Sequence, residues 1–267
     1  MKRIFLSTSF CLAIFLPLIA APPAHALSKG DTLKTRATQP QPGGAQTGPK
    51  DPVERFIESN VLETLYHEMG HALIDTMDLP VFGPEEFAAD FFAAVLLDRV
   101  HDETTTRQLI QDVEASYQYD ARHGEAVAWD LHGSPMQRYY NLACLYYGAN
   151  PEARKDALRQ FNLPEDRADS CPEQYETANA AWGGVLDELA KGAPGNSITL
   201  DWILDKESHL TRYVTREVAE LNRMMVLPEP IVVSVIPCGE VNAYYEPDKH
   251  EIIICTELSE HLARIAP

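Results

Sequence analysis

The stretch HEMGH, residues 67–71, constrains this chain more than any other. On a helix, positions four apart lie one above the other on a single face, so His67 and His71 can present imidazole nitrogens to one ion. Glu68 falls one step round the same helix, where its carboxylate reaches water bound to that ion rather than the ion itself. Two neutral nitrogen ligands, a general base and an open position for solvent are what zinc-assisted hydrolysis requires. The surrounding sequence, DPVERFIESNVLETLYHEMGHALIDTMD, supports a long helix. Asp51 reads as its N-cap and Pro52 as its first helical residue, and Leu62, Leu65, Tyr66, Met69, Ala72, Leu73 and Met77 recur as one buried stripe. The plain alternative is an amphipathic helix that carries two surface histidines, so a metal reading requires a third ligand from another element.

A short connection, LPVFGP, leads to a second helical pattern, EEFAADFFAAVLLDRV. Packed antiparallel to the first helix, it brings Glu86 to the ion from the opposite side. Asp90, four residues on, shares that face and can accept a hydrogen bond from the outer nitrogen of a ligand histidine, fixing its tautomer. Ala88 and Ala89 let the two helices approach closely. Glu85 rivals Glu86 as third ligand, and both glutamates also suit a helix N-terminus on electrostatic grounds alone.

The remainder of the chain frames this pair. Residues 1–26 have a basic start, a short apolar run broken by Pro17 and an AHA ending, the pattern of a cleavable signal peptide. Residues 27–50, rich in Pro, Gly, Gln and Thr, read as a disordered linker. The folded part is expected over 51–267, mainly helical to 226, with further helices at 103–120, 134–147, 151–161, 172–190 and 206–225. After Pro228, β-branched runs at 231–236 and 251–254 flank a turn-rich EPDKH and predict a small antiparallel sheet. The fold class is therefore α+β and predominantly helical. No later segment is apolar for long enough to span a membrane.

Removing the leader also removes Cys11 and leaves four cysteines in a compartment that permits disulfides. Proximity in sequence favours Cys144 with Cys171 and Cys238 with Cys255, and no CxxC spacing argues for thiolate zinc ligation. The formal charge is −18, and loss of Lys2 and Arg3 with the leader takes it to −20. Such a surface repels nucleic acid and anionic lipid.

HEMGH followed by EFAAD resembles the HExxH plus ExxAD signature of gluzincin-type peptidases, especially the membrane-bound CAAX-protease and heat-shock HtpX group. The resemblance implies a zincin-like domain holding one catalytic Zn2+ on His67, His71 and Glu86, with Glu68 as catalytic base and Asp90 orienting a ligand histidine from behind. It covers about 25 residues, and the membrane spans of that group are absent. Nearly the whole mature chain is similar to a bacterial family of domains of unknown function classed by motif as metallopeptidases, secreted or periplasmic. The segments QRYYNLACLYYG, SCPEQY with the following Trp182, CGEVNAYYEP and IIICTEL carry that likeness.

A tetrahedral intermediate needs a donor for its oxyanion besides the metal, and His132, Arg138, Tyr139 and Tyr140 are candidates. Each has a structural alternative: the tyrosines as packing or capping groups, Arg138 as a partner for one of many carboxylates, and His132 as the lead into a helix. CGEVNAYYEP is either a disulfide-stapled hairpin or a strand that holds a substrate backbone. Asp75, four residues after His71, orients a neighbour or meets solvent. The expected activity is zinc-dependent hydrolysis of peptide bonds in a peptide or protein substrate. The rivals are a non-catalytic envelope or extracellular binding protein stabilised by zinc, and a zinc hydrolase acting on a cell-wall amide.

Overall fold

The structure, a computed structural model, describes residues 51–124 and 127–267, so the expected signal peptide and linker lie outside the described residues. The first helix, α1 (Pro52–Thr76), begins where its sequence directs: the Asp51 side chain accepts from the backbone N–H of Val53 and Glu54, and Pro52 occupies the first turn. Helix α2 (Glu85–Val100) follows a short connection. Then come α3 (Glu103–His123), capped by Asp102, and α4 (Pro135–Ala149), which opens with a reciprocal capping box between Ser134 and Gln137. Two single-turn helices, α5 (Ala157–Gln160) and α6 (Glu165–Ala168), lead into α7 (Cys171–Ala190).

The C-terminal part holds four strands and two helices: β1 (Ile198–Ile203), α8 (His209–Met224), β2 (Ile231–Ile236), β3 (Ala243–Glu246), β4 (Glu251–Cys255) and α9 (Thr256–Ile265). The strands form one sheet in the order β1-β2-β4-β3, in which β1 with β2 and β2 with β4 are parallel and only β3 with β4 is antiparallel. This corrects the expected antiparallel pairing of 231–236 with 251–254. The chain leaves β2, passes to the sheet edge as β3 and returns as β4 between them. IIIC is an unbroken apolar run and IVVSVI is interrupted only by the buried Ser234, whose hydroxyl donates to Glu251, as suits strands covered on both faces. Segment 151–161 is also not the expected helix. It is mostly turns around the buried Arg154, whose guanidinium reaches Glu103, Asp98 and the carbonyl of Tyr146.

α1 lies at the centre, against α2, α3, α8, α9 and the β3–β4 hairpin. In place of a single buried stripe, it is buried nearly all round from Phe56 to Ile74. Leu65, Met69 and Leu73 are fully enclosed, each contributing about 1.5–3 kcal/mol by burial. Charged residues on its other faces, Glu58, Glu63 and Glu68, are thereby carried into the interior. At the α1–α2 crossing, a Cβ on Gly70 would stand 2.9 Å from the Ala89 backbone, so glycine sets how near the helices come.

The disulfides join Cys144 with Cys171, fastening α4 to α7, and Cys238 with Cys255, fastening the loop after β2 to the end of β4. Both pairs are those expected from sequence proximity. Closing loops of 27 and 17 residues is worth about 3–4 kcal/mol each by restriction of the unfolded chain. No helix among the described residues is long and apolar enough to cross a membrane.

Candidate metal centre and active site

The α1–α2 crossing brings His67, His71 and the first turn of α2 together. His67 Nδ1 meets Asp90 Oδ1 at 2.9 Å, and His71 Nδ1 meets Glu85 Oε1 at 2.6 Å. A carboxylate only accepts, so each Nδ1 carries the proton in the neutral ring, and each Nε2 is left with its lone pair. Those two nitrogens face each other at 3.2 Å, and both face one oxygen of Glu86, at 3.1 Å from His67 and 3.3 Å from His71. Three electron-pair donors thus converge with no intervening proton of their own, which is the chemistry of a cation site. Tetrahedral zinc with ligand bonds of about 2.0 Å separates its ligand atoms by about 3.3 Å, so the triangle fits that ion.

Glu85, the rival third ligand from sequence, lies on the outer nitrogen of His71, where it mirrors Asp90 on His67. Arg138, from α4, holds Asp90 in turn, with Nε at 3.0 Å and Nη2 at 2.6 Å from the carboxylate. Burial pushes the Asp90 carboxyl upward, but the Arg138 charge and the hydrogen bonds from His67 and Arg138 outweigh it and hold it at about 2. For Glu86, burial is likewise overcome by hydrogen bonds from His132, His67 and His71, which keep it far below the usual carboxylate range. For His67, burial works downward, while Asp90 and Glu86 lift the ring to about 10.

His132, in the loop before α4, places Nε2 2.8 Å from the same Glu86 oxygen. His67, Glu86 and His132 also form a compact donor group, with ligand atoms within 4.8 Å of one another. The triangle with His71 has edges of 3.1, 3.2 and 3.3 Å, and both of its rings belong to one helix. The His132 ring is 46% exposed and its Nδ1 lies 3.3 Å from Asp130, so it stands at the rim of the centre.

Tyr139 is not brought to the site. Its ring is buried, and its hydroxyl donates to the Phe161 carbonyl at 3.0 Å, which gives it a packing role. Tyr140 packs edge-on against it. Glu68 is 6% exposed; burial pushes its carboxyl upward, partly offset by the His67 and His71 charges and by the backbone N–H of Tyr245. Tyr245 also donates its hydroxyl to Asp75 at 2.7 Å. The edge strand β3 is thus tied to the histidine helix at two points. Sequence reasoning singled out the CGEVNAYYEP stretch without Tyr245 itself; its only signal was the aromatic pair in a strand-forming run.

A cavity of about 350 Å3 opens beside His67 and Glu68, bounded by α1, α3, α9 and residues 241–243. A larger one, about 760 Å3, lies between the loop before α2 and helix α7. It is apolar, walled by Phe82, Phe87, Phe91 and Trp182, and contains none of the converging donors, so the smaller cavity is the one placed for chemistry.

A family model described as "Putative metallopeptidase", DUF4344, matches residues 35–186 and 202–266. No curated protein and no solved structure matches the chain.

Proposed function

The chain belongs to this metallopeptidase family, and from that premise we propose that it is a zinc-dependent peptidase, secreted or periplasmic, that hydrolyses peptide bonds with an activated water. One observation carries the reading: His67 Nε2, His71 Nε2 and Glu86 Oε2 converge at 3.1–3.3 Å with their outer partners already taken. Zinc held there supplies Lewis acidity, lowering the pKa of water and polarising the scissile carbonyl. Glu68 takes the proton from the attacking water and returns it to the leaving amine. His132, whose Nε2 rests against Glu86, turns that N–H to the developing oxyanion, with Asp130 orienting the ring. Asp90 and Glu85 fix the tautomers of the two ligand histidines, and Arg138 holds Asp90 in place. The open edge of β3, whose Tyr245 N–H already reaches Glu68, offers backbone groups to an extended substrate.

Two disulfides suit an oxidising compartment, in keeping with removal of residues 1–26 as a leader. The test pairs metal analysis of the purified protein with digestion of a peptide library by the parent and by Glu68→Gln. The expected result is one zinc per chain in both, with cleavage by the parent alone. Stoichiometric zinc without turnover in the parent would instead mark a structural clamp, and equal cleavage by both proteins would remove Glu68 from the mechanism.

A further inference from the structure

The wall of the smaller cavity is rich in acceptors. Glu63, on α1, is 7% exposed, and its Oε1 accepts from the Tyr117 hydroxyl at 2.9 Å, while Oε2 makes no hydrogen bond among the described residues. Asp120, near the end of α3, lines the same space, and its carboxylate makes neither a hydrogen bond nor an ion pair among the described residues. Asn60 commits its amide N–H groups to the carbonyls of Phe56 and Asp112, so what it can still offer is its carbonyl oxygen. The cavity's one fixed cation, Arg138, is spent on Asp90, with Glu63 3.8 Å away. The other titratable groups of the lining are His67, Glu68, Tyr117, His132 and His261.

A cavity with free acceptors and its permanent cation committed suits a group that only donates and carries positive charge, an ammonium or a guanidinium. We propose that this cavity is the substrate subsite for a positively charged group beside the scissile bond, with Asp120 and Glu63 as the residues that select it. The proposal rests on the peptidase reading given above. Two further features agree with it. Burial pushes both carboxyls upward, an unfavourable state that a bound cation relieves. The formal charge of −18 draws cationic peptides toward the protein. An ammonium can come from a lysine side chain or from a free amino terminus, and a guanidinium from arginine.

The experiment uses the whole zinc-loaded chain on end-blocked peptides that vary at each position around the cleaved bond, beside unblocked peptides without Lys or Arg. Selective cleavage of blocked peptides with Lys or Arg at one position assigns the pocket to a side chain; selective cleavage of the unblocked set assigns it to the α-amine. Asp120→Asn should lower kcat/KM for the preferred substrate at least about tenfold more than it lowers kcat/KM for neutral peptides. Asp120→Lys should shift preference toward Glu. Asp120→Ser serves if the first variant misfolds. Cleavage without cation preference, or a preference that survives Asp120→Asn and Asp120→Lys, overturns the subsite while leaving the peptidase reading intact. If no peptide is cut, the peptidase reading falls. Calorimetric binding of agmatine to parent and Asp120→Asn then decides the cavity by itself, with equal or absent binding overturning the proposal.

Discussion

His67 Nδ1 lies 2.9 Å from Asp90 Oδ1, and the same carboxylate is gripped by Arg138 from a third helix. The His67 ring is thus aimed by a chain of contacts that crosses α1, α2 and α4. Asp90→Asn can present an N–H where an acceptor is needed, disturbing the tautomer that leaves Nε2 free. Zinc affinity should fall about 10–100-fold, read by competition with a chromophoric chelator. Unchanged affinity would show that Asp90 does not orient the ligand.

His132 divides two roles that its position leaves adjacent. As an oxyanion donor, His132→Ala should keep one zinc per chain with near-parent affinity while kcat falls about 100–1000-fold. Loss of zinc in that variant would make His132 a ligand instead, as its grouping with His67 and Glu86 permits.

Gly70 sits where α1 and α2 touch. Gly70→Ala puts a methyl 2.9 Å from the Ala89 Cα, a backbone atom that cannot turn aside. Pushing the helices apart should cost about 1–3 kcal/mol of stability and weaken zinc binding, because Glu86 rides on the helix that moves. Denaturant unfolding with and without zinc measures both effects. A variant as stable as the parent would show that the crossing is not close-packed at this point.

Glu114, on α3, is 2% exposed, and neither carboxylate oxygen finds a hydrogen-bond partner among the described residues. Burial alone pushes its carboxyl well above the ordinary value of 4.5. A raised folded-state pKa means that the native state binds the proton more tightly. The associated stability is complete below pH 4.5 and is lost as pH rises toward the folded value. Glu114→Met should therefore raise neutral-pH stability by about 1–3 kcal/mol and flatten the pH dependence relative to the parent. Thermal melts across pH 4–9 that run parallel for the two proteins would refute this.

Local elements are written in neighbouring residues: Asp51 and Pro52 start α1, Ser134 and Pro135 start α4, and the HEMGH spacing sets two imidazoles on one helical face. Those are effects of neighbours a few residues apart, and their physics is complete within the segment. Nearness along the chain also sufficed for the two disulfides. Tertiary structure alone decided which glutamate faces which histidine nitrogen, since Glu85 and Glu86 are adjacent in sequence and differ only by a 100° turn of a helix whose placement is set by the Gly70–Ala89 contact. It also decided that Tyr139 turns into the core, that Arg138 finds Asp90, and that β2 and β4 run parallel. Apolar runs specify burial without strand direction, which pairing between distant segments decides.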